Sequence, residues 1–145
     1  MPQLTLTREI AAPAEAVFET ITDHASYPDY TPIRRVELEQ RGTDAPNGVG
    51  AIRALHVAGP PIRERVTAYE PPRKFAYEVL SGIPVSKQIG TVTIEPRGEG
   101  ACTMRYALDI EPKIPFSGPV LGLVTKTAIG RLMASVDAEA VRRAA

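Results

Sequence analysis

Alternating apolar and polar positions divide most of the chain into strands. Leu4, Leu6 and Arg8 alternate with Thr5, Thr7 and Glu9 ahead of Ile10, the pattern of a half-buried first strand. The period then changes. Pro13 opens a helix with Val17, Phe18 and Ile21 along one edge, and Asp23 ends it. The segment HASYPDY gives a second helical turn that carries Tyr27 and Tyr30 and that Pro28 keeps short. Six more strand-like stretches follow, at 35–40, 49–57, 62–69, 75–80, 87–95 and 102–110. Turn signals such as RGTDAPNG, AGPP, EPPR, SGIP and PRGEG separate them. Short strands joined by tight turns predict an antiparallel meander, and with the helices segregated from it the fold class is α+β.

The last thirty residues break the alternation. From Gly118 onward a helical period places Leu121, Thr125, Ala128, Leu132 and Val136 on one face, over a length of about 40 Å. Ser117 can cap this helix, Pro119 suits its first turn, and Arg142 and Arg143 stand near its carbonyl end. The predicted inner face is lean, built from Thr125, Ala128 and Ser135, and Gly122 and Gly130 interrupt it. Each glycine costs about 1 kcal/mol against alanine inside a helix. Either a second backbone passes close by or the face leaves room for a cavity.

Strand parity supplies the opposing wall. Met104, Tyr106, Leu108 and Ile110 share one face of the last strand, and Cys102 shares their parity as a buried, inert thiol. Val92 and Ile94 face inward from the strand before it, and Phe75, Tyr77 and Val79 from the strand before that. In the strand starting at Ile62 the inward set is Ile62, Val66 and Ala68, and it carries Glu64 with it. The AGPP turn sets Arg53 nearly opposite Glu64. A surface ion pair is one reading. A polar anchor in an apolar pocket is the other, with Glu64 available as a base.

Composition narrows the classes. Seventeen basic residues balance seventeen acidic ones, so no net field draws nucleic acid, and the basic pairs Arg34–Arg35 and Arg63/Arg65 lack interleaved aromatics. A single cysteine permits no internal disulfide. No basic leader or long apolar run is present, which suits a cytoplasmic protein without stable membrane insertion, and the alanine and arginine content suits a GC-rich bacterial genome. His24 reads as a solvated turn residue, and His56 as a surface histidine or a general base at a cavity mouth. Neither has a nucleophilic partner at a suitable spacing, and no metal signature or cofactor motif appears.

The opening APAEAVFETITDHASYPDYTPI, the segments GVGAIRAL and RERVTAYEPPRKFAYEV, and GTVTIEPRGEGACTMRYALDIEP occur in an order that resembles the polyketide cyclase/dehydrase-like branch of the SRPBCC superfamily. START lipid-transfer domains and the birch-pollen-allergen group belong to the same superfamily. The resemblance spans essentially the whole chain. It implies one helix-grip domain, a seven-stranded antiparallel sheet wrapped around the C-terminal helix with an apolar cavity between them. Relatives often carry tryptophan in the helix break or last strand. This chain has none, and Tyr27, Tyr30 and Tyr106 stand in comparable places.

The cavity wall expected on this basis combines Tyr27, Tyr30, Arg53, Glu64, Val66 and Phe75 with Tyr77, Val92, Met104, Tyr106 and Leu108. The helix adds Leu121, Thr125, Ala128 and Leu132. Three functions fit such a domain. The first is binding of a hydrophobic or amphipathic small molecule, lipid or polyketide-like, by a monomer or homodimer. The second is cyclase or dehydratase chemistry from Glu64, Arg53, Tyr77 or His56. The third is a regulatory module that receives a partner peptide in an apolar groove.

Overall fold

A computed structural model describes residues 3–145. The elements run β1 (Gln3–Ile10), α1 (Ala14–Thr22), a 3-10 turn (His24–Ser26), α2 (Tyr27–Tyr30), β2 (Arg35–Gln40), β3 (Ile52–His56), β4 (Ile62–Glu70), β5 (Lys74–Ser81), β6 (Val85–Pro96), β7 (Cys102–Pro112) and α3 (Gly118–Ala144). All seven strands form one antiparallel sheet in the order β1-β7-β6-β5-β4-β3-β2. Six strands pair with their sequence neighbours. β1 instead joins β7 across nearly the whole chain, with Leu4 opposite Leu108 and Ile10 opposite Cys102.

The inner face of the sheet follows strand parity through β5, β6 and β7. Phe75 and Tyr77, Val92 and Ile94, and Met104, Tyr106, Leu108 and Ile110 are all buried in one core with Val17, Phe18 and Ile21 of α1. β4 departs from simple alternation. A bulge between Val66 and Ala68 reverses the parity, so Ala68 lies opposite Ala76 and Tyr69 lies opposite Phe75. Tyr69 thereby turns inward and meets the Phe18 ring edge-on at 5.4 Å, in the place expected for Ala68. Gly90 of β6 is required by a close approach. A Cβ there would stand 2.5 Å from Cζ of Tyr77, whose ring lies across the strand.

α3 rests on α1, β1 and β7. Its buried side chains are Thr125, Met133, Val136 and Ala140, with Leu121, Ile129 and Leu132 half-buried beside them. This stripe is rotated from the predicted one, and Ala128 is exposed. Relative to Thr125, Ala128 lies about 60° to one side while Met133 and Ala140 lie about as far to the other. Neither helix glycine is explained by a close backbone, because Gly122 has nothing near it and Gly130 meets only the Leu6 side chain at 3.8 Å. Ser117 occupies the N-cap position, but its hydroxyl donates back to the Ile114 carbonyl. At the other end Arg143 donates to Glu139 and to Asp23 at the end of α1 (3.1 Å), which ties the two helices together.

Candidate ligand-binding site

The β3–β4 register sets Arg53 directly opposite Glu64, on the inner face. The side chains meet at 3.0 Å, Nη2 of Arg53 donating to Oε1 of Glu64, and both residues are buried. An ion pair removed from water needs every donor and acceptor satisfied to offset its desolvation. Arg53 does not reach that condition. Its Nε and Nη1 are buried and have no hydrogen-bond partner among the described residues. The guanidinium carbon instead lies 5.2 Å from the Phe75 ring centroid and 5.9 Å from that of Tyr77, within cation–π range.

The hydroxyls of Tyr27, Tyr77 and Tyr106 lie within electrostatic reach of the pair, whereas Tyr30 stands apart, near Asp23 and Arg143. Tyr77 on β5 and Tyr106 on β7 share a hydrogen bond between their hydroxyls at 2.5 Å. The Tyr27 hydroxyl donates to the Ile21 carbonyl, and the Tyr30 hydroxyl donates to the Thr20 carbonyl at 3.1 Å. Burial raises the pKa of all four phenols, and the Glu64 carboxylate raises those of Tyr77 and Tyr106 further. They therefore stay protonated and serve as hydrogen-bond groups, not as bases. Burial also pushes Glu64 above the ordinary carboxylate range, against the opposing pull of Arg53.

His24 belongs to this cluster, where a solvated turn histidine was expected. It is 3% exposed, and its ring packs 4.8 Å from Tyr27 and 5.5 Å from Phe75. Its Nδ1 is buried without a partner. Desolvation, and then the Arg53 charge, hold its pKa well below the usual histidine value, so the ring is neutral. Gln88 of β6 is a further buried polar residue on the inner face, and its Oε1 also lacks a partner. Strand parity could have found Gln88, which alternates with Val92 and Ile94. The turn reading concealed His24.

Other predicted residues lie elsewhere. His56 is on the outer face of β3, with Nε2 2.6 Å from Glu37, far from the Arg53 cluster in parity and environment. The outer face continues with the pairs Arg63–Glu39 and Arg65–Glu78 at 2.8 Å, exposed bridges that contribute little. Val66, Val92, Met104 and Leu108 are buried around the cluster, whereas Leu121 and Leu132 of α3 are half-buried. Two solvent-open concavities lie away from this cluster. One of about 400 Å³ is lined by Arg73, Lys74, Thr93 and Arg105, and one of about 320 Å³ by Arg34, Arg35 and His56. Neither is lined by Arg53, Glu64 or residues of α3.

The family model described as polyketide cyclase/dehydrase and lipid transport matches residues 1–145. The chain belongs to this family. Polyketide cyclase/dehydrase-type domains share the helix-grip arrangement, and solved structures agree. A START superfamily protein from Mycobacterium smegmatis superimposes with a TM-score of 0.83 at 21% identity, over 97% of each chain. The Zhui aromatase/cyclase from a Streptomyces species gives 0.78 at 22%, covering 98% of this chain and 94% of its own. Norcoclaurine synthase from Thalictrum flavum, crystallised as a point mutant with a transition-state analogue, gives 0.79 at 16%, over 99% and 96%. A search of curated proteins found no match. At these identities the solved structures establish the fold, and the family model establishes membership. Among the described residues no group of three or more His, Cys, Asp or Glu side chains could hold a metal ion, and no helix is long and apolar enough to cross a membrane.

Proposed function

We propose that this polyketide cyclase/dehydrase-family domain binds a small molecule with an apolar body and an acidic or strongly accepting polar end, anchored on Arg53. The observation that carries the reading is a buried guanidinium with two unpartnered nitrogens, enclosed by aromatic rings. A carboxylate, enolate or carbonyl oxygen would satisfy Nε and Nη1 while Glu64 holds Nη2. His24 Nδ1 and the linked Tyr77 and Tyr106 hydroxyls offer further contacts, and Phe75, Val92, Met104 and Leu108 supply the apolar wall. Lipid transport, by which the family is described, and the aromatase/cyclase activity of a structural relative are compatible with ligands of this kind.

A second reading, cyclase or dehydratase-type turnover, is favoured by Glu64. Burial raises its pKa, the direction that suits a carboxyl taking part in proton transfer, and it stands beside phenols that remain donors.

The test is native mass spectrometry of the freshly purified protein, with denaturing extraction of anything bound, followed by titration with an aromatic carboxylic acid such as naphthoic acid. Wild type should bind the acid roughly tenfold or more tightly than Arg53→Met, the loss expected for charge-assisted hydrogen bonds. Equal affinity of the two proteins overturns the anchor. Turnover of an extracted precursor that is lost in Glu64→Gln selects the enzymatic reading, and turnover unaffected by Glu64→Gln removes its base.

A further inference from the structure

The most exposed of the large apolar side chains are concentrated in one segment, 114–124. Ile114 and Phe116 precede α3, and Val120, Leu123 and Val124 lie on its first two turns. Phe116 is 100% exposed, and Val120 and Leu123 are each 67% exposed. Val120, Leu123 and Val124 follow one another at helical spacings, so α3 presents them on its outer side, away from Thr125 and Met133, with Phe116 just before its N-cap.

The backbone beneath Phe116 is unusual. Ser117 N–H donates to the Ile114 carbonyl at 3.2 Å, closing a four-residue turn with Pro115 at its second position and Phe116 at its third. Phe116 has φ of +64°, the conformation for which such turns select glycine. A bulky aromatic in a glycine position, with its ring wholly in water, contradicts two local rules at once. Conflicts of that kind mark functional positions.

Charge identifies the occupant. The chain is neutral overall, yet residues 112–136 contain Lys113, Lys126 and Arg131 and no acidic residue. All three cations are exposed, and none forms an ion pair among the described residues. A second copy of the chain would set these cations against their own symmetry mates with no carboxylate in the segment to meet them. Neither concavity lies on this face, and a protruding ring suits a deformable partner better than a rigid one that would need a matching pocket. We propose that the Ile114–Val124 face is a docking surface for an anionic lipid bilayer, with Phe116 and Leu123 entering the interface and Lys113, Lys126 and Arg131 facing the headgroups.

The test is co-sedimentation with phosphatidylcholine vesicles with and without about 30 mol % phosphatidylglycerol. It needs no ligand, so it is read separately from the Arg53 site. Wild type should partition onto the anionic vesicles, and raising the salt from about 0.1 M to about 0.5 M should weaken this. Phe116→Gly should reduce partitioning roughly tenfold while keeping or raising the melting temperature, because glycine suits the turn. Leu123→Ser should reduce it similarly. Three outcomes overturn the proposal: wild type that ignores anionic vesicles, Phe116→Gly that binds them as well as wild type, or a solution dimer that Phe116→Gly dissolves. Capture of an acidic protein by a wild type that does not bind vesicles overturns it as well.

Discussion

Arg53 and Glu64 are each tolerable in the interior only because of the other. Arg53→Met leaves a buried carboxylate unpaired and should cost about 3–5 kcal/mol in denaturant titration. The double variant Arg53→Met/Glu64→Leu should cost much less than the sum of the single changes, a coupling that a double-mutant cycle measures. His24 gives a pH signature. Its folded pKa lies below the unfolded value, so folding favours the neutral ring, and this contribution is present above about pH 6.5 and lost as the pH falls. Glu64 is shifted upward and acts in the opposite sense, contributing at low pH and losing that contribution as the pH rises through its raised value. Subtracting the stability of His24→Gln from that of wild type isolates the histidine. The difference should decline on acidification from pH 7 toward 5, by up to about 1.4 kcal/mol per pH unit. Gly90→Ala forces a Cβ against the Tyr77 ring and should cost about 1–3 kcal/mol, visible as a lower denaturation midpoint.

At the scale of elements, α3 is two helices in one. Its C-terminal half is held by Met133, Val136, Ala140 and the Arg143–Asp23 bridge, whereas its N-terminal half buries only Thr125 fully. Met133→Ala should therefore cost about 2–5 kcal/mol by chemical denaturation, and Leu123→Ala only about 0.5 kcal/mol or less. The sequence made the existence and length of this helix plain but not its orientation. Val120, Leu121, Leu123 and Val124 put apolar groups nearly all round its first turns, so periodicity could not single out a buried stripe, and Ala128 was assigned to the wrong side. Strands were more legible, since a period of two is fixed by the pleat and the AGPP turn alone sufficed to set Arg53 opposite Glu64. Parity failed where the bulge after Val66 added a residue, exchanging Ala68 for Tyr69. It was no help with His24, which lies between helices, where burial is decided by tertiary packing on Phe75 and not by any local period.

Across the whole molecule, the quoted family segments carried the architecture, while the site's polar economy became visible only when residues from α1 to β7 were assembled. The two faces of the sheet divide the labour. Outer-face charges pair across strands, as in Arg65 with Glu78 and Lys87 with Asp109, and inner-face charges concentrate at Arg53 and Glu64. The pairing of β1 with β7 has a consequence for how the chain is made. The β2–β6 hairpins can zip up as they leave the ribosome, but β1 has no partner until residues 102–112 are outside the exit tunnel. Its cover, α3, is translated later still. Gln3–Ile10 thus waits as an unpaired edge until β7 is made, so completion of the sheet is slow by virtue of sequence separation and open to chaperone capture in the interval.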